Sequence, residues 1–160
     1  MVKVEANNTN YSAYDIPKEL LVGKRHLTQE EIAILEHNLN HNEDETWNNF
    51  YVSDEKDGFD PNLIHLSFFS GFIILGKLTN VTLSYNDLHL TCGIRRSRIS
   101  NLVTGDDVVI RNVFYMDNYR LGNRVILFNI QEICCTNHSK FGNGILKKGE
   151  PEDHRIWLGI

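Results

Sequence analysis

The chain carries the stretch Thr104-Gly-Asp-Asp-Val-Val-Ile-Arg-Asn-Val113 and, seventeen residues later, a near-copy, Leu121-Gly-Asn-Arg-Val-Ile-Leu-Phe-Asn-Ile130. Glycine, valine and asparagine recur at matching places, and Ile99, Met116 and Ile133 continue the same register outward. A short repeat that is rich in β-branched residues, with a glycine at a fixed corner, is typical of stacked parallel β-coils. The repeat therefore predicts a mainly β protein built as a parallel β-helix, with Ile99, Met116 and Ile133 in one inward column.

A similar pattern of short apolar segments continues toward the N-terminus. From Phe59 onward they follow one another every five or six residues, with glycine or asparagine between them and no second helical pattern. We therefore expect the β-helix to run from about Leu63 to Ile133, with Ile110 stacked on Leu127. The alternative is a meandering antiparallel sheet of short strands, although such sheets rarely repeat the same residue types in one register.

Residues 27–58 are expected to form a short α-helical cap at the N-terminal end of the β-helix. Thr28 and Glu31 have the spacing of a capping box, in which a hydroxyl and a carboxylate bind the first free amides of a helix. Apolar residues recur behind them at helical spacing. A second short helical or turn segment follows, and it contains Trp47 and Phe50.

The β-helix is expected to fill residues 59–160 and to be incomplete. A polar, glycine-rich loop over residues 136–155 leaves the stack, and Ile156-Trp-Leu-Gly-Ile160 follows it without a polar cap. An uncapped solenoid exposes a coil-sized apolar surface. The sequence therefore indicates a truncated, N-terminal portion of a longer protein that self-associates as a homo-oligomer. Residues 1–26 are polar and weakly patterned, which favours an irregular arm.

Composition and charge exclude several classes of protein. The chain is 41% hydrophobic and 23% charged, with a formal net charge of −5, which suits one globular domain and argues against a nucleic-acid binder. No apolar run has the length of a membrane span, and no signal layout is visible. Cys92, Cys134 and Cys135 lack metal-type spacing, which favours reduced thiols in the cytoplasm. His37 and His41 lack a further ligand, so no metal site is predicted.

A further set of motifs lies on both sides of the predicted coils. They are Leu27-Thr-Gln-Glu-Glu-Ile32, Phe59-Asp-Pro-Asn-Leu-Ile64, the two repeats, and Thr136-Asn-His-Ser-Lys-Phe-Gly-Asn-Gly-Ile145 followed by Gly149-Glu150. Over about residues 27–160 the chain resembles a bacterial family of left-handed β-helix proteins, a domain of unknown function with members several times longer. That family sits in a trimeric superfamily among the hexapeptide-repeat acyltransferases and sugar-phosphate nucleotidyltransferases. The resemblance implies a left-handed, hexapeptide-repeat solenoid.

The resemblance also implies a transferase that moves an acyl group or handles a sugar nucleotide, with His138 as its base. In hexapeptide-repeat acyltransferases a loop histidine removes a proton from the acceptor, which requires a pKa near neutral beside a cleft. Asn137 or Asn143 would orient this histidine or polarise a carbonyl group, and Lys140 would hold a phosphate. The alternative is that His138 anchors a protruding loop through hydrogen bonds.

Arg95, Arg96 and Arg98 form a basic patch just before the first repeat. Such a patch suits the phosphate groups of a nucleotide or of coenzyme A, although arginines at the corners of a solenoid also serve solubility. The sequence therefore predicts acyl-CoA or a sugar nucleotide as substrate and identifies no cofactor. Two further hypotheses stay open: a non-catalytic scaffold or oligomerisation module of a longer protein, and a truncated product without activity.

Overall fold

The computed structural model describes residues 16–135, which contain one α-helix and eleven β-strands. In chain order these elements are β1 Lys24–His26, α1 Gln29–His37, β2 His41–Asn42, β3 Phe50–Ser53, β4 Ile64–His65, β5 Phe68–Ile74, β6 Thr82–Tyr85, β7 Leu88–Thr91, β8 Gly93–Arg95, β9 Arg98–Thr104, β10 Val109–Leu121 and β11 Ile126–Cys134. Two short 3-10 helices, Lys18–Leu21 and Pro61–Leu63, precede β1 and β4.

Nine of the strands form one mixed sheet that curls into a half-barrel. The strand order is β1-β3-β5-β9-β10-β8-β4, with β11 beside β10 and β2 beside β5. β1 runs antiparallel to β3, whereas the other pairs of this sheet are parallel. The remaining strands, β6 and β7, form a separate antiparallel hairpin.

The predicted left-handed parallel β-helix with hexapeptide repeats is therefore wrong, although the protein is mainly β. Its sheet forms a half-barrel and is mixed, because β1 runs antiparallel to β3, and β6 and β7 form a separate antiparallel hairpin. The apolar segments around Leu83 and Leu90 do not continue a stack of coils; they face each other across the hairpin. Asn86 and Asp87 make the connection, and Asn86 has a φ of 50°, the left-handed conformation that tight hairpin turns require. The strands of a hairpin recur at the same sequence interval as strands stacked in successive coils, so the interval alone could not distinguish a hairpin from a β-helix.

The seventeen-residue repeat still sets the local register that the sequence predicts. β10 and β11 lie parallel, with Ile110 opposite Leu127 and Met116 opposite Ile133. On the other side of β10, Ile99 pairs with Met116. Ile99, Ile110 and Met116 are fully buried, and Leu127 and Ile133 pack against the core. These predicted pairings are confirmed.

Asparagine residues bend the long strands where the sheet curls. Asn112 and Asn129, at equivalent places in the two repeats, have φ values of 54° and 56°. Asparagine tolerates this left-handed conformation better than most residues with a side chain. The Nδ2 of Asn112 donates to the Oδ1 of Asn129 at 2.9 Å, so the two side chains form a hydrogen-bonded ladder at this corner.

The predicted capping box begins α1. The Thr28 hydroxyl accepts from the Glu31 amide at 3.2 Å, and the Glu31 carboxylate accepts from the Thr28 amide at 2.8 Å. The same carboxylate receives two hydrogen bonds, of 2.7 and 2.8 Å, from the Arg25 guanidinium. Glu31 therefore joins β1 to the start of the helix. Further along, Trp47 lies in a turn and Phe50 begins β3, a strand of the sheet.

Glu31→Gln is expected to lower the free energy of unfolding by about 1 kcal/mol at neutral pH. Burial raises the pKa of the Glu31 carboxyl, but the hydrogen bonds from Arg25 and Thr28 outweigh burial and leave the pKa below its ordinary value. A depressed pKa means that the stabilisation is present above the ordinary value and disappears as pH falls through the folded-state pKa. Urea unfolding at neutral pH and near pH 3 measures this, and a difference between wild type and variant that persists in acid would contradict it.

Candidate ligand-binding groove

An open groove of about 770 Å³ crosses the outside of the half-barrel where β2, β5, β9 and β10 lie side by side. Its walls carry three aromatic side chains, Phe68, Phe114 and Tyr115, and two arginines, Arg96 and Arg98. The remaining lining residues are Leu39, His41, Leu66, Ser67, Ser97 and Val113. The groove therefore combines apolar and aromatic surface with positive charge.

The parallel register brings Arg98 between two aromatic rings. Arg98 lies opposite Phe68 across the β5–β9 ladder. The next residue, Ile99, pairs with Met116, so Tyr115 stands on the other side of Arg98. The guanidinium carbon of Arg98 is 5.0 Å from the centroid of the Phe68 ring, a distance at which the ring attracts a cation. This contact holds the charged group over the groove.

Three residues in the left-handed conformation line one side of the groove. Leu39, Leu66 and Arg96 have φ values of 59°, 52° and 51°, and each such residue other than glycine costs about 1 to 2 kcal/mol. Backbone hydrogen bonds hold these bends, from the Leu66 amide to the Asn38 carbonyl at 3.0 Å and from the Arg96 amide to the His65 carbonyl at 3.1 Å. The surrounding sheet therefore fixes the shape of this wall.

The polar groups on the floor of the groove are already satisfied. The buried hydroxyl of Ser67 donates to the His65 carbonyl at 2.9 Å, and that of Ser97 donates to the Arg95 carbonyl at the same distance. The Ser97 hydroxyl also accepts from the Val113 amide at 3.2 Å. Polar recognition of a ligand would therefore come from the rim and not from the floor.

Tyr115 is a neutral hydrogen-bonding group at the rim. Burial raises the pKa of its phenol, and the nearby Asp117 carboxylate raises it further, against an opposing effect of Arg98. The hydroxyl therefore keeps its proton at neutral pH. It can donate to a ligand oxygen beside the guanidinium group.

The structure separates the arginines that the sequence grouped into one patch. Arg96 and Arg98 line the groove, whereas Arg95 lies on the adjoining face, opposite Arg111. The left-handed bend at Arg96 turns the chain between the two faces. The other predicted site residues, Asn137, His138, Lys140 and Asn143, lie outside the described residues.

Sequence reasoning missed the aromatic part of the groove. Phe114 is 75% exposed although it is a large apolar residue, and Leu39 and Leu66 of the same groove are exposed as well; such a group of exposed apolar residues suggests a binding surface. In the sequence Phe114 sits inside an apolar strand pattern, so its exposure could not be read there. Only the register between β5, β9 and β10 reveals that Phe68, Arg98 and Tyr115 are neighbours.

Metal-binding clusters and membrane-spanning helices are both absent from the described residues. Within residues 16–135 no cluster of three or more histidine, cysteine or acidic side chains is arranged to hold a metal ion. In that range no helix has the length and apolarity that crossing a membrane requires. Cys92, Cys134 and Cys135 are free, and Cys92 is buried.

Comparisons with known proteins give a family but no activity. The sequence model of the family described as "Domain of unknown function (DUF4954)" matches residues 24–150. An uncharacterized protein of Treponema pallidum (strain Nichols) is 39% identical over 134 residues, which are 84% of this chain and 18% of that protein. The chain thus spans less than a fifth of the length of this relative. No solved structure matches the chain.

The family match and the curled mixed sheet overturn part of the resemblance inferred from the sequence. The domain-of-unknown-function description is supported. The placement among left-handed β-helix proteins with hexapeptide repeats is wrong, because the structure is a curled, mixed sheet that forms a half-barrel, with an antiparallel β1–β3 pair and a separate antiparallel hairpin. The two repeats produced that likeness, since in-register parallel strands select the same residue types in either architecture.

Proposed function

Because the chain belongs to the family described as domain of unknown function DUF4954, we propose its function from the groove itself. The domain binds the nucleotide portion of a sugar nucleotide or of an acyl-CoA, and so serves a transfer reaction. One observation carries this proposal: Arg96 and Arg98, which form no ion pair within residues 16–135, lie beside three aromatic side chains.

The chemistry of the groove suits both parts of such a ligand. Guanidinium groups bind phosphate oxygens through two parallel hydrogen bonds, and aromatic side chains stack on the faces of bases. The volume of about 770 Å³ lies within the ordinary range for small-molecule sites. The satisfied floor leaves Arg96, Arg98, His41 and the Tyr115 hydroxyl to supply the polar contacts.

The catalytic part of the proposal rests on the sequence. His138 would act as the base, Asn137 or Asn143 would orient it, and Lys140 would hold a phosphate of the substrate. The three free cysteines support a reducing cytoplasm as the place of action. His138→Ala should then abolish transfer by the longer protein and leave ligand binding in the groove unchanged.

Arg98→Gln is expected to weaken the binding of UDP-glucose or acetyl-CoA by about tenfold to a hundredfold, because one charged hydrogen bond to phosphate is lost. Phe114→Ala should weaken it similarly through the loss of stacking. Isothermal titration calorimetry with each ligand measures both effects. Arg120→Gln is the matched control, since Arg120 is exposed on β10 and does not line the groove. An equal loss in the control, or no binding of either ligand to wild type, would reject the proposal.

A non-catalytic scaffold or oligomerisation module is the second candidate, and strand β11 favours it. β11 pairs with β10 along one edge, and no strand among residues 16–135 pairs with its other edge. An unpaired edge of nine residues is a template for another strand. The occupant would be a further part of the longer protein or a second copy of this chain. Light scattering that shows a stable oligomer, together with a negative ligand titration, would favour this candidate over the first.

A further inference from the structure

Two arginines face each other on the outer surface of the sheet, on the face adjoining the groove. Arg95 of β8 lies opposite Arg111 of β10 in a parallel ladder. Their neighbours Ile94 and Ile110 are fully buried. Because successive residues of a strand point to opposite faces, both arginine side chains leave the core side, with backbones about 5 Å apart.

The two guanidinium groups lack an acidic partner. Neither Arg95 nor Arg111 takes part in an ion pair within the described range. Among residues 16–135 the Nε atom of each is buried and has no hydrogen-bond acceptor. Arg111 donates one hydrogen bond from Nη2 to the Thr91 carbonyl, at 2.8 Å. Most donors of the two guanidinium groups therefore have no protein acceptor in that part of the chain.

This arrangement is unfavourable for the domain by itself. Like charges directly opposite each other on neighbouring strands destabilise a sheet, and buried donors without acceptors add a desolvation cost. Burial and then the charge of Arg95 lower the pKa of the Arg111 guanidinium. Unsatisfied groups of this kind in a folded protein call for an explanation, and a bound ion is one of the ordinary ones.

We propose that Arg95 and Arg111 together bind the phosphate group of a small phosphate-bearing ligand. A phosphate monoester carries about −1.5 to −2 charges at neutral pH, which matches two cations better than a carboxylate does. Its oxygens would accept from both guanidinium forks, and its charge would remove the repulsion between them. His65 and Phe128, the next residues in the same row across the strands, flank the pair.

This site is independent of the function proposed for the groove. Arg96, between Arg95 and Arg98 in the chain, is the left-handed bend that puts them on different faces. A ligand in the groove meets Arg98, whereas a phosphate at the new site meets Arg95 and Arg111. A substitution at one site can therefore abolish binding there without changing binding at the other site.

The test is an NMR titration with inorganic phosphate that follows the arginine Nε–H signals. Burial of the Arg95 and Arg111 Nε–H groups should slow their exchange with water and make them visible. We expect both signals to shift with phosphate until saturation, and not to shift in potassium chloride of equal ionic strength. Shifts of equal size in both salts would overturn the proposal.

Charge-removing variants make the test specific. Arg95→Gln and Arg111→Gln should each weaken the apparent phosphate affinity by about tenfold or more, whereas Arg120→Gln, at an exposed position of β10 outside both sites, should leave it unchanged. Without phosphate, Arg95→Gln should melt at the same or a higher temperature than wild type, because the repulsion is gone. Phosphate should then raise the melting temperature of wild type by more than that of Arg95→Gln. If Arg95→Gln fails to fold, Arg95→Lys replaces it in the test because lysine keeps the charge. Arg95→Lys should still weaken the affinity for phosphate, because lysine lacks the fork of guanidinium donors. An unchanged affinity for phosphate in folded Arg95 and Arg111 variants would contradict the proposal.

Discussion

Phe69→Ala is expected to lower the free energy of unfolding by about 3 to 5 kcal/mol. Phe69 is fully buried at the centre of an aromatic cluster. Its ring meets that of Phe50 nearly at a right angle, with centroids 5.2 Å apart, and the Trp47 ring is 6.2 Å away. Truncation removes the buried area, leaves a cavity under the sheet and deletes both ring contacts. Such a loss is a large part of the total stability of a domain.

Urea unfolding followed by tryptophan fluorescence measures this loss, because Trp47 belongs to the cluster. Phe114→Ala is the matched control, since it removes the same side chain from a position that is 75% exposed. The control should change stability by less than about 0.5 kcal/mol, while it weakens ligand binding in the groove. If both variants lost the same stability, Phe69 would not be the centre of the core.

Gly93→Ala is expected to lower the free energy of unfolding by about 2 to 5 kcal/mol. Gly93 begins β8 with a φ of 137°, a conformation that side-chain-bearing residues rarely adopt. A Cβ atom there would overlap the carbonyl oxygen of Leu63, which belongs to the backbone and cannot rotate away. The strand would therefore have to move away from the 3-10 helix at residues 61–63.

Gly122→Ala is the control for this substitution. Apart from its two chain neighbours, no described residue has an atom within 4 Å of a Cβ atom added at Gly122, so the change should be neutral or slightly stabilising. Thermal unfolding of both variants, read by circular dichroism, compares them directly. A large loss of stability at Gly122 would show that the end of the sheet is packed by something else, such as a second copy of the chain.

Local features were predictable because their causes lie within a few residues. The capping box needs only Thr28 and Glu31 at a spacing of three, and the helix begins where they stand. The parallel register of β10 and β11 follows from the repeat, since equal residue types stack best when equal positions pair. The sequence did not distinguish the hairpin of β6 and β7 from stacked coils, although Asn86-Asp87 is a turn-forming pair, because apolar segments recur at the same interval in both arrangements.

The groove was predictable only in part, for a different reason. Arg96 and Arg98 were candidates because arginine suits phosphate wherever it is exposed. Phe68 and Tyr115 became neighbours of Arg98 through pairings between strands far apart in the sequence. No local pattern carries that information.

Gly105 and Gly122 occupy equivalent positions in the sequence repeat, but the tertiary structure gives them different surroundings. By sequence they are the same corner of two copies, and the repeat alone determined that the strands after them pair in register. In the structure a Cβ atom at Gly105 would collide with the backbone of Gly122 and Asn123, whereas the same atom at Gly122 has no neighbour within 4 Å among the other described residues. The difference arises because the second copy of the sequence repeat packs on the first, whereas no strand in the described part of the chain packs on the second. Local composition determines which strands can pair, but the curl, the antiparallel partners and the crowding at each position depend on which strands are present to cover them.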